Sequence, residues 1–393
     1  MATPSIAMIP SGYKAEKVYS VLPTNGDGDL TFDRNSSARR VNKSGLIEEM
    51  ATDVPRLDYS DGGCPSLLLE PSSLNLVIGS AEGNYGNAPT SSTNTISPDG
   101  TNNAFIPLVD DLSNRYQETI PANTYSTGQK LTYSWYRKII STPTGISVTG
   151  DLRIKSLVNL TELETSNATQ IESNINGFDR FQAVVEIIDG SIDSIFRAYF
   201  GDVVEVGNSS VGYFGHQLEA KSFATSYIPT TSGTASRSQD SASKTGLSSY
   251  ISSTAGVLYA EFAALTNEVG VFYKVLTLNV GTSGDLSNTV LLGFTNANVI
   301  YATVGGTTIS FTNTTDATTF HKVAVKYEDN NSKLFVNGVQ IGSTNTTATV
   351  PSGLSRLGFD SGNGGSKFHV KAKDVRVYNT TLSDAELTTL TTI

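Results

Sequence analysis

The stretch that decides the fold is FHKVAVKYEDNNSKLFVNGVQIG, residues 320–342. Apolar and polar residues alternate on both sides of the turn Asp329–Ser332, which is typical of strands with one buried face. Asn337-Gly338 follows directly, and this dipeptide tolerates the positive φ angles of a tight hairpin. The stretch therefore predicts two strands around the first turn and a hairpin at the second.

A second informative stretch, KDVRVYNTTLSDAELTTL, covers residues 373–390. It predicts a strand at Val375–Tyr378 and then a short helix, because Ser383 and Glu386 have the spacing of a capping box. Together the two stretches resemble the end of a laminin-G-like (concanavalin A-like) jelly roll, in which W-H-x-V-A-V-x-Y leads to L-x-V-N-G. Phe320 takes the aromatic position, and the match continues through His321, Val323, Ala324, Val325, Tyr327, Leu334, Val336, Asn337 and Gly338. The resemblance implies a binding fold that recognises a glycan or a protein.

Composition narrows the class of protein. The chain has 393 residues, which is too long for one ordinary domain. Charged residues make up 16%, below the roughly 25% of typical soluble domains, and Ser, Thr, Asn and Gly take their place. Such surfaces are common on extracellular β proteins and virion fibres. The net charge of −10 argues against nucleic-acid or anionic-membrane partners, and we interpret the short cluster Arg39-Arg40 with Lys43 as a solvated or inter-subunit contact.

Cysteine and histidine usage points away from covalent and zinc cross-links. Cys64 is the only cysteine, which excludes an intrachain disulfide, and we expect it to be a small buried side chain. Three histidines without CxxC or HxxxH spacing give no support for structural zinc. The start of the chain lacks a signal-peptide pattern, and no run approaches about 18 apolar residues. We expect a protein made in the host cytoplasm, without membrane insertion.

The first part, residues 1–75, reads as an extended segment. The turn Asn25–Asp29 predicts a small hairpin, whereas three prolines (Pro55, Pro65 and Pro71) interrupt the remainder. A neighbouring subunit or domain is needed to cover the apolar run 67–69.

This part also strongly resembles an N-terminal module of tailed-bacteriophage virion proteins. The module reads F-x-R-x-S-x-A-x-R-V-N-x-x-G-L-I-E, then P-R-L-D-Y, C-P-S-L-L-L-E-P and N-L, and the match covers residues 32–76. One departure is Arg39, where the family commonly has Thr. The resemblance implies attachment to other virion proteins, display on the particle exterior as a head or tail fibre or decoration, and a homotrimer.

The other two parts, residues 76–240 and 245–393, predict β-sandwiches. Strand-like segments alternate with Gly-, Ser-, Thr- and Asn-rich loops, and helical patterns are rare. Ser97–Phe105 and Phe214–Thr230 resemble the bracketing motifs of carbohydrate-binding-type jelly rolls, which lie against each other at one edge. The polar linker 230–253 should be exposed. The predicted fold is all-β, with an extended docking segment followed by two jelly-roll sandwiches.

Catalytic signals are weak, and we predict that the chain is not an enzyme. Glycoside hydrolysis needs two carboxylates across a cleft, and no such pair can be read from the acidic residues Asp110, Asp111, Glu186 and Asp189. The pair His216 and Glu219 is interpreted as structural hydrogen bonding, with a catalytic pair as the alternative. No G-x-S-x-G elbow occurs, and GNGG at 362–365 lacks the residues of a phosphate loop.

Binding residues are equally sparse. Asp285, Asp329 and Asp360 fall in predicted loops of the last part and could supply calcium ligands, but without DxDxDG spacing we assign no metal or cofactor. Trp135 is a weak candidate for a sugar platform, but we favour a core position for it, because a sandwich interior favours large aromatic residues.

The sequence features favour two functions about equally, and the jelly-roll resemblance favours the first of them slightly. One is adhesion, in which a displayed virion protein binds host-surface polysaccharide. The other is a purely structural capsid or tail component with no host ligand. A polysaccharide depolymerase is the third and weakest alternative.

Overall fold

The computed structural model describes residues 2–80, 92–107, 115–141, 153–161, 168–199, 210–267, 274–281, 285–294, 298–314, 316–362 and 367–393. In these ranges strands dominate, and one α-helix, α1 (Asp384–Thr391), follows the last strand. The all-β prediction is therefore confirmed.

Short strands run through the first part of the chain. They are β1 (Ile6–Met8), β2 (Tyr13–Lys14), β3 (Lys17–Val18), β4 (Leu30–Asp33), β5 (Ala38–Val41), β6 (Ile47–Met50), β7 (Leu57–Asp58), β8 (Ser66–Leu69) and β9 (Ser73–Asn75). The pair β3–β4 is the hairpin predicted around the turn Asn25–Asp29.

The strands of the middle part are longer. They are β10 (Ser92–Thr95), β11 (Ala104–Pro107), β12 (Arg115–Ile120), β13 (Lys130–Ser141), β14 (Arg153–Val158), β15 (Thr169–Ile175), β16 (Phe178–Glu186), β17 (Ser194–Tyr199) and β18 (Ser210–Glu219). They form a six-stranded sheet of order β10-β11-β18-β13-β16-β15 and a three-stranded sheet of order β12-β17-β14. One aromatic-rich core includes residues of both sheets, and we call this unit the middle sandwich.

The last part continues with further strands. They are β19 (Ala235–Arg237), β20 (Ser241–Lys244), β21 (Ala255–Ala264), β22 (Lys274–Asn279), β23 (Thr289–Phe294), β24 (Val299–Val304), β25 (Thr307–Asn313), β26 (His321–Glu328), β27 (Ser332–Val336), β28 (Val339–Asn345), β29 (Arg356–Gly358) and β30 (Val370–Tyr378).

Strands from both ends of the chain build the second sandwich, which we call the terminal sandwich. Its eight-stranded sheet has the order β28-β27-β26-β21-β30-β8-β7, with β1 also paired to β30. Its nine-stranded sheet has the order β2-β3-β4-β20-β29-β22-β23-β24-β25. One apolar core contains residues of both sheets. The middle sandwich is thus inserted between β9 and β19, which pair with each other.

This topology corrects the prediction of an extended docking segment at residues 1–75. Leu69 of β8 pairs with Val370, and Phe32 of β4 pairs with Ala242. Ile6, Met8 and Leu69 lie in the terminal core. The segment is ordered by pairing with strands more than 200 residues away, and this long-range pairing covers its apolar side chains.

Two local predictions at the chain end are confirmed. Asn337 and Gly338 have φ angles of 49° and 86°, as a tight hairpin requires. Ser383 and Glu386 form both hydrogen bonds of the capping box. The strand predicted from Val375 begins earlier, at Val370, because its first residues pair with β8.

The linker and Cys64 also differ from expectation. Residues 230–253 include β19 and β20, and Arg237 and Asp240 are almost fully buried. The linker is ordered because these two charged side chains form ion pairs with residues of the first part. Cys64 is exposed, since it follows the turn at Gly62 and Gly63 rather than lying in a strand.

Candidate functional site

A cleft of about 660 Å³ lies where the two sandwiches meet. One side is formed by β15, β16 and the loop 222–227 of the middle sandwich. The other side is formed by the hairpin β5–β6, residues 58–61 and the terminal-sandwich residues 264–267 and Lys371. Its volume falls within the roughly 300–1,000 Å³ of small-ligand sites.

The middle-sandwich side is organised around Glu172. The Tyr136 hydroxyl donates to Glu172 Oε2 at 3.1 Å, and Arg180 Nη1 lies 3.3 Å from Glu172 Oε1. Arg180 Nη2 also donates to the Thr225 carbonyl at 2.7 Å and to Ser134 Oγ at 3.1 Å. Burial raises the pKa of Tyr136 well above its ordinary value. The Tyr136 hydroxyl therefore remains a neutral donor, and the Glu172 carboxylate is held in one orientation.

The opposite side presents Lys371 on β30. Its ammonium donates to Asp61 Oδ1 at 2.9 Å and to Ser60 Oγ at 3.1 Å. Burial lowers the pKa of Lys371, but Asp58 and Asp61 outweigh burial and raise it. Asp58 itself accepts the Val41 amide at 2.8 Å. Lys371 is therefore a permanently charged group surrounded by carboxylates.

The hairpin β5–β6 forms the rim of the cleft. Arg40 Nε donates to Glu48 Oε1 at 2.7 Å, and the Arg40 guanidinium lies 5.1 Å from the centre of the Tyr13 ring. Arg39 Nη2 lies 2.8 Å from Glu49 Oε2. The two arginines of the basic cluster noted in the sequence thus pair with acidic residues of the same hairpin, and each pair bridges β5 and β6.

Behind the cleft lies a buried ionic cluster of Arg34, Arg56, Glu70, Arg237 and Asp240. Arg56 contacts both Glu70 and Asp240, Arg237 Nη1 lies 3.0 Å from Glu70 Oε2, and Arg34 Nη1 lies 3.3 Å from Asp240 Oδ1. Burial raises the pKa of Glu70, yet Arg237 and Arg56 outweigh burial and hold it far below its ordinary range. The carboxylate of Glu70 is therefore ionised, and Glu70 also lines the cleft.

Uncharged polar groups make up much of the remaining lining. Hydroxyl and amide side chains come from both sandwiches: Thr169, Gln170, Gln182, Ser222, Thr266, Asn267 and Thr318. Thr169 and Gln170 are exposed on β15, which is the last strand of the six-stranded sheet. Apolar contact surface is available from Ile171 and Leu265. Hydroxyls, planar amides and apolar patches are the groups that recognise polar ligands of modest size.

The predicted site residues lie elsewhere. Trp135 is 0% exposed and packs in the middle core with its ring centroid 6.0 Å from that of Phe181, so it takes the core position that we favoured and not that of a sugar platform. His216 is buried with its Nδ1 2.7 Å from the Tyr133 hydroxyl, and burial lowers its pKa to about 3. Glu219 accepts the Thr225 amide at 2.9 Å, away from His216. These contacts are structural.

The acidic candidates are dispersed. Asp110 and Asp111 lie outside the described residues, as does most of the GNGG stretch. Glu186 ends β16, and Asp189 accepts the Ser191 amide at 2.9 Å in a nearby loop.

The calcium candidates have protein partners. Asp285 Oδ1 accepts the Ser287 amide at 2.9 Å, Asp329 Oδ1 accepts the Val350 amide at 2.7 Å, and Arg356 Nη1 donates to Asp360 Oδ1 at 2.8 Å. Within the described ranges, no group of three His, Cys, Asp or Glu residues could hold a metal ion. Calcium remains an unassigned prediction.

The two bracketing motifs do lie together, as the resemblance implied. β11 pairs with β18 through Phe105 and Tyr213, and Ala104 packs in one cluster with Phe214 and Tyr227. Residues 222–227 of the second motif then line the cleft. In the part of the chain that the structure describes, no helix is long and apolar enough to cross a membrane.

Comparisons with known proteins found one family model and several solved structures. Residues 267–388 match the family model described as the concanavalin A-like lectin/glucanases superfamily, Laminin_G_3. No curated protein matches the chain by sequence. Among solved structures, the CBM40 of a Ruminococcus gnavus IT-sialidase bound to α2,3-sialyllactose is 20% identical, with 36% of this chain and 84% of that chain covered and a TM-score of 0.30. A Trypanosoma rangeli sialidase is 18% identical, with 35% and 22% covered and a TM-score of 0.29.

Proposed function

We propose that this chain is a non-catalytic glycan-binding protein displayed on the surface of a virus particle, and that the cleft between its sandwiches receives the glycan. The observation that carries the proposal is the cleft itself. It has the volume of a small-ligand site, and both sandwiches contribute hydroxyl and amide groups to it. Such groups donate and accept hydrogen bonds in the way that sugar hydroxyls require.

The family match supports a lectin-like role and leaves binding and hydrolysis open, because the family description includes both lectins and glucanases. We favour binding because the carboxylates of the cleft already have hydrogen-bond or ion-pair partners within the protein. Glu172 accepts from Tyr136 and pairs with Arg180, and Asp61 pairs with Lys371. A glycosidase instead places two carboxyl groups on either side of the scissile bond, where both can reach the sugar.

Display on a virion rests on the resemblance of residues 32–76 to a module of tailed-phage proteins and on the low charge content. Three strands of this segment, β4, β7 and β8, belong to the sheets of the terminal sandwich, so attachment would use the outer surface of a folded unit rather than an unfolded arm. A homotrimeric fibre or decoration would present several clefts, and multivalency would raise weak single-site affinity.

The test is binding of the fluorescently labelled full chain to immobilised bacterial surface polysaccharides, with soluble polysaccharide as competitor. Saturable, competed binding is expected. Thr169→Trp places a large ring in the cleft and should abolish it, whereas Thr308→Trp, at an exposed position of β25 outside the cleft, should not. Absence of binding even by a multimerised chain would overturn the proposal.

A purely structural role is the second candidate, and one observation favours it. The buried ionic cluster joins the first part and the linker, and Glu70 also accepts the Ser226 amide of the middle sandwich, as expected of a stiff building block. If particles lacking this protein attached to cells normally but lost mechanical stability, the structural role would replace adhesion.

A further inference from the structure

The cationic side chains that line the cleft are paired with carboxylates of the protein itself. The described lining residues include four cationic side chains, Arg39, Arg40, Arg180 and Lys371. Each is paired with its own carboxylate: Glu49, Glu48, Glu172 and Asp61 in the same order. The cationic groups at the cleft are therefore already neutralised by the protein.

Lys371 shows this most clearly. Asp61 binds its ammonium directly, and Asp58 and Glu172 act on it electrostatically as well. An incoming carboxylate or sulfate would have to displace Asp61 and approach the other two acids. A site for an anionic ligand instead offers cations without intramolecular partners, often as bidentate guanidinium groups.

Among the described lining residues as a whole, acidic side chains outnumber basic ones. Of the five acidic residues, Asp61 and Glu172 pair with cationic residues of the lining and Glu70 pairs with arginines behind it, so the negative excess comes from Asp58 and Asp316. Anionic ligands are repelled by a cleft with a negative excess, because low-dielectric walls strengthen the local field.

We infer that the cleft selects a neutral glycan segment, made of hexose or N-acetylhexosamine units, and discriminates against uronate-, sialate- and sulfate-bearing glycans. The inference rests on the proposed function and specifies its ligand class. Gln170, Asn267 and Thr169 supply amide and hydroxyl groups at the opening, and the surrounding ion pairs hold these walls in place without presenting a free positive charge.

The experiment is binding of the full chain to an oligosaccharide array that contains neutral, N-acetylated, uronate, sialylated and sulfated members. A neutral or N-acetylated ligand, lost in Thr169→Trp and kept in Thr308→Trp, is expected. Its affinity should change little between low and high salt, because no ligand charge is screened.

The possible outcomes distinguish a failure of the neutral selectivity from a failure of the glycan-binding function. An anionic ligand whose binding is lost in Thr169→Trp would overturn the neutral selectivity and leave the proposed function standing. A ligand unaffected by Thr169→Trp would overturn the cleft as the site. No ligand of any class would overturn the glycan-binding function and the inference with it.

A change of selectivity provides an independent check. Asp61→Asn removes the direct partner of Lys371 and should raise affinity for uronate oligosaccharides by about tenfold or more, the scale of a charged hydrogen bond. Asp384→Asn is the matched control, because it frees Lys333 from its exposed ion pair outside the cleft. Equal uronate binding by both variants and the wild type would contradict the role of Asp61.

Discussion

Arg56 Nη1 and Glu70 Oε2 lie 2.5 Å apart in the interior, with side-chain exposures of 0% and 5%. Arg237 approaches the same carboxylate at 3.0 Å, and the Ser226 amide donates to Glu70 Oε1 at 2.7 Å. Glu70 therefore connects the first part of the chain, the linker and a loop of the middle sandwich. Because this loop lines the cleft, the ion pair links the stability of the fold to the shape of the site.

Replacement of Glu70 by Gln should destabilise the protein strongly. The change removes the negative charge shared by Arg56 and Arg237 and leaves buried guanidinium charge uncompensated, which costs about 3–5 kcal/mol. Urea denaturation followed by circular dichroism measures the free energy of unfolding. The matched control is Glu49→Gln, whose partner Arg39 is on the hairpin surface, and its cost should be about 0–1 kcal/mol. Similar losses in both variants would contradict the buried network.

A second prediction concerns pH and His216. Burial lowers the pKa of His216 to about 3, so the folded protein keeps it neutral while the unfolded chain takes up a proton near pH 6.5. Its folded pKa is depressed, so its contribution to stability is lost as pH falls below 6.5. The loss should reach about 2 kcal/mol between pH 8 and pH 5.

Unfolding free energies of the wild type and of His216→Gln at these two pH values provide the measurement. The Gln variant has no imidazole to protonate, so its stability should change less over this range. An equal pH dependence in the two proteins would show that His216 is not the group responsible. The range lies above the ordinary pKa of a glutamate, about 4.3, and the contribution of Glu70 to stability is lost only as pH falls below that value in the unfolded chain.

Local signals made part of the fold predictable. Asn337-Gly338 and the pair Ser383 and Glu386 encode a turn and a helix start within four residues, so the sequence alone suffices for them. The pairing of Leu69 with Val370 spans most of the chain and leaves no local trace. A segment that completes a distant sheet therefore resembles an extended, unpartnered arm when only its own residues are considered.

The candidate site could not be predicted from the sequence for the same reason. Glu172, Asp61 and Lys371 meet at one cleft but come from three remote parts of the sequence. One usable signal was present: Arg56 and Glu70 belong to the phage-like motif and are charged residues among apolar ones in a chain poor in charge. Such residues are expected to form buried ion pairs. In the structure these residues bind each other, and the virion-attachment role stays a prediction.

Cys64 gives a third prediction, about accessibility. The thiol is exposed after the turn that also holds Asp61, so a thiol reagent should modify it stoichiometrically in the native protein, and Cys64→Ser should not react. Modification that requires denaturant would contradict the exposed position. A dye attached there lies three residues along the chain from Asp61, which lines the cleft, and its emission should respond to glycan addition in the wild-type background but not together with Thr169→Trp.

The last prediction separates the core role of Trp135 from the sugar-platform role suggested by its chemistry. Trp135 packs against Tyr133 and Phe181 with no exposed surface. Trp135→Phe should therefore lower the free energy of unfolding by about 1–3 kcal/mol through lost packing. Glycan affinity should stay within about twofold, because the ring does not line the cleft. Denaturation and glycan titration on the same sample measure both quantities. A loss of binding without a loss of stability would place the indole in contact with the sugar and move the site away from the cleft.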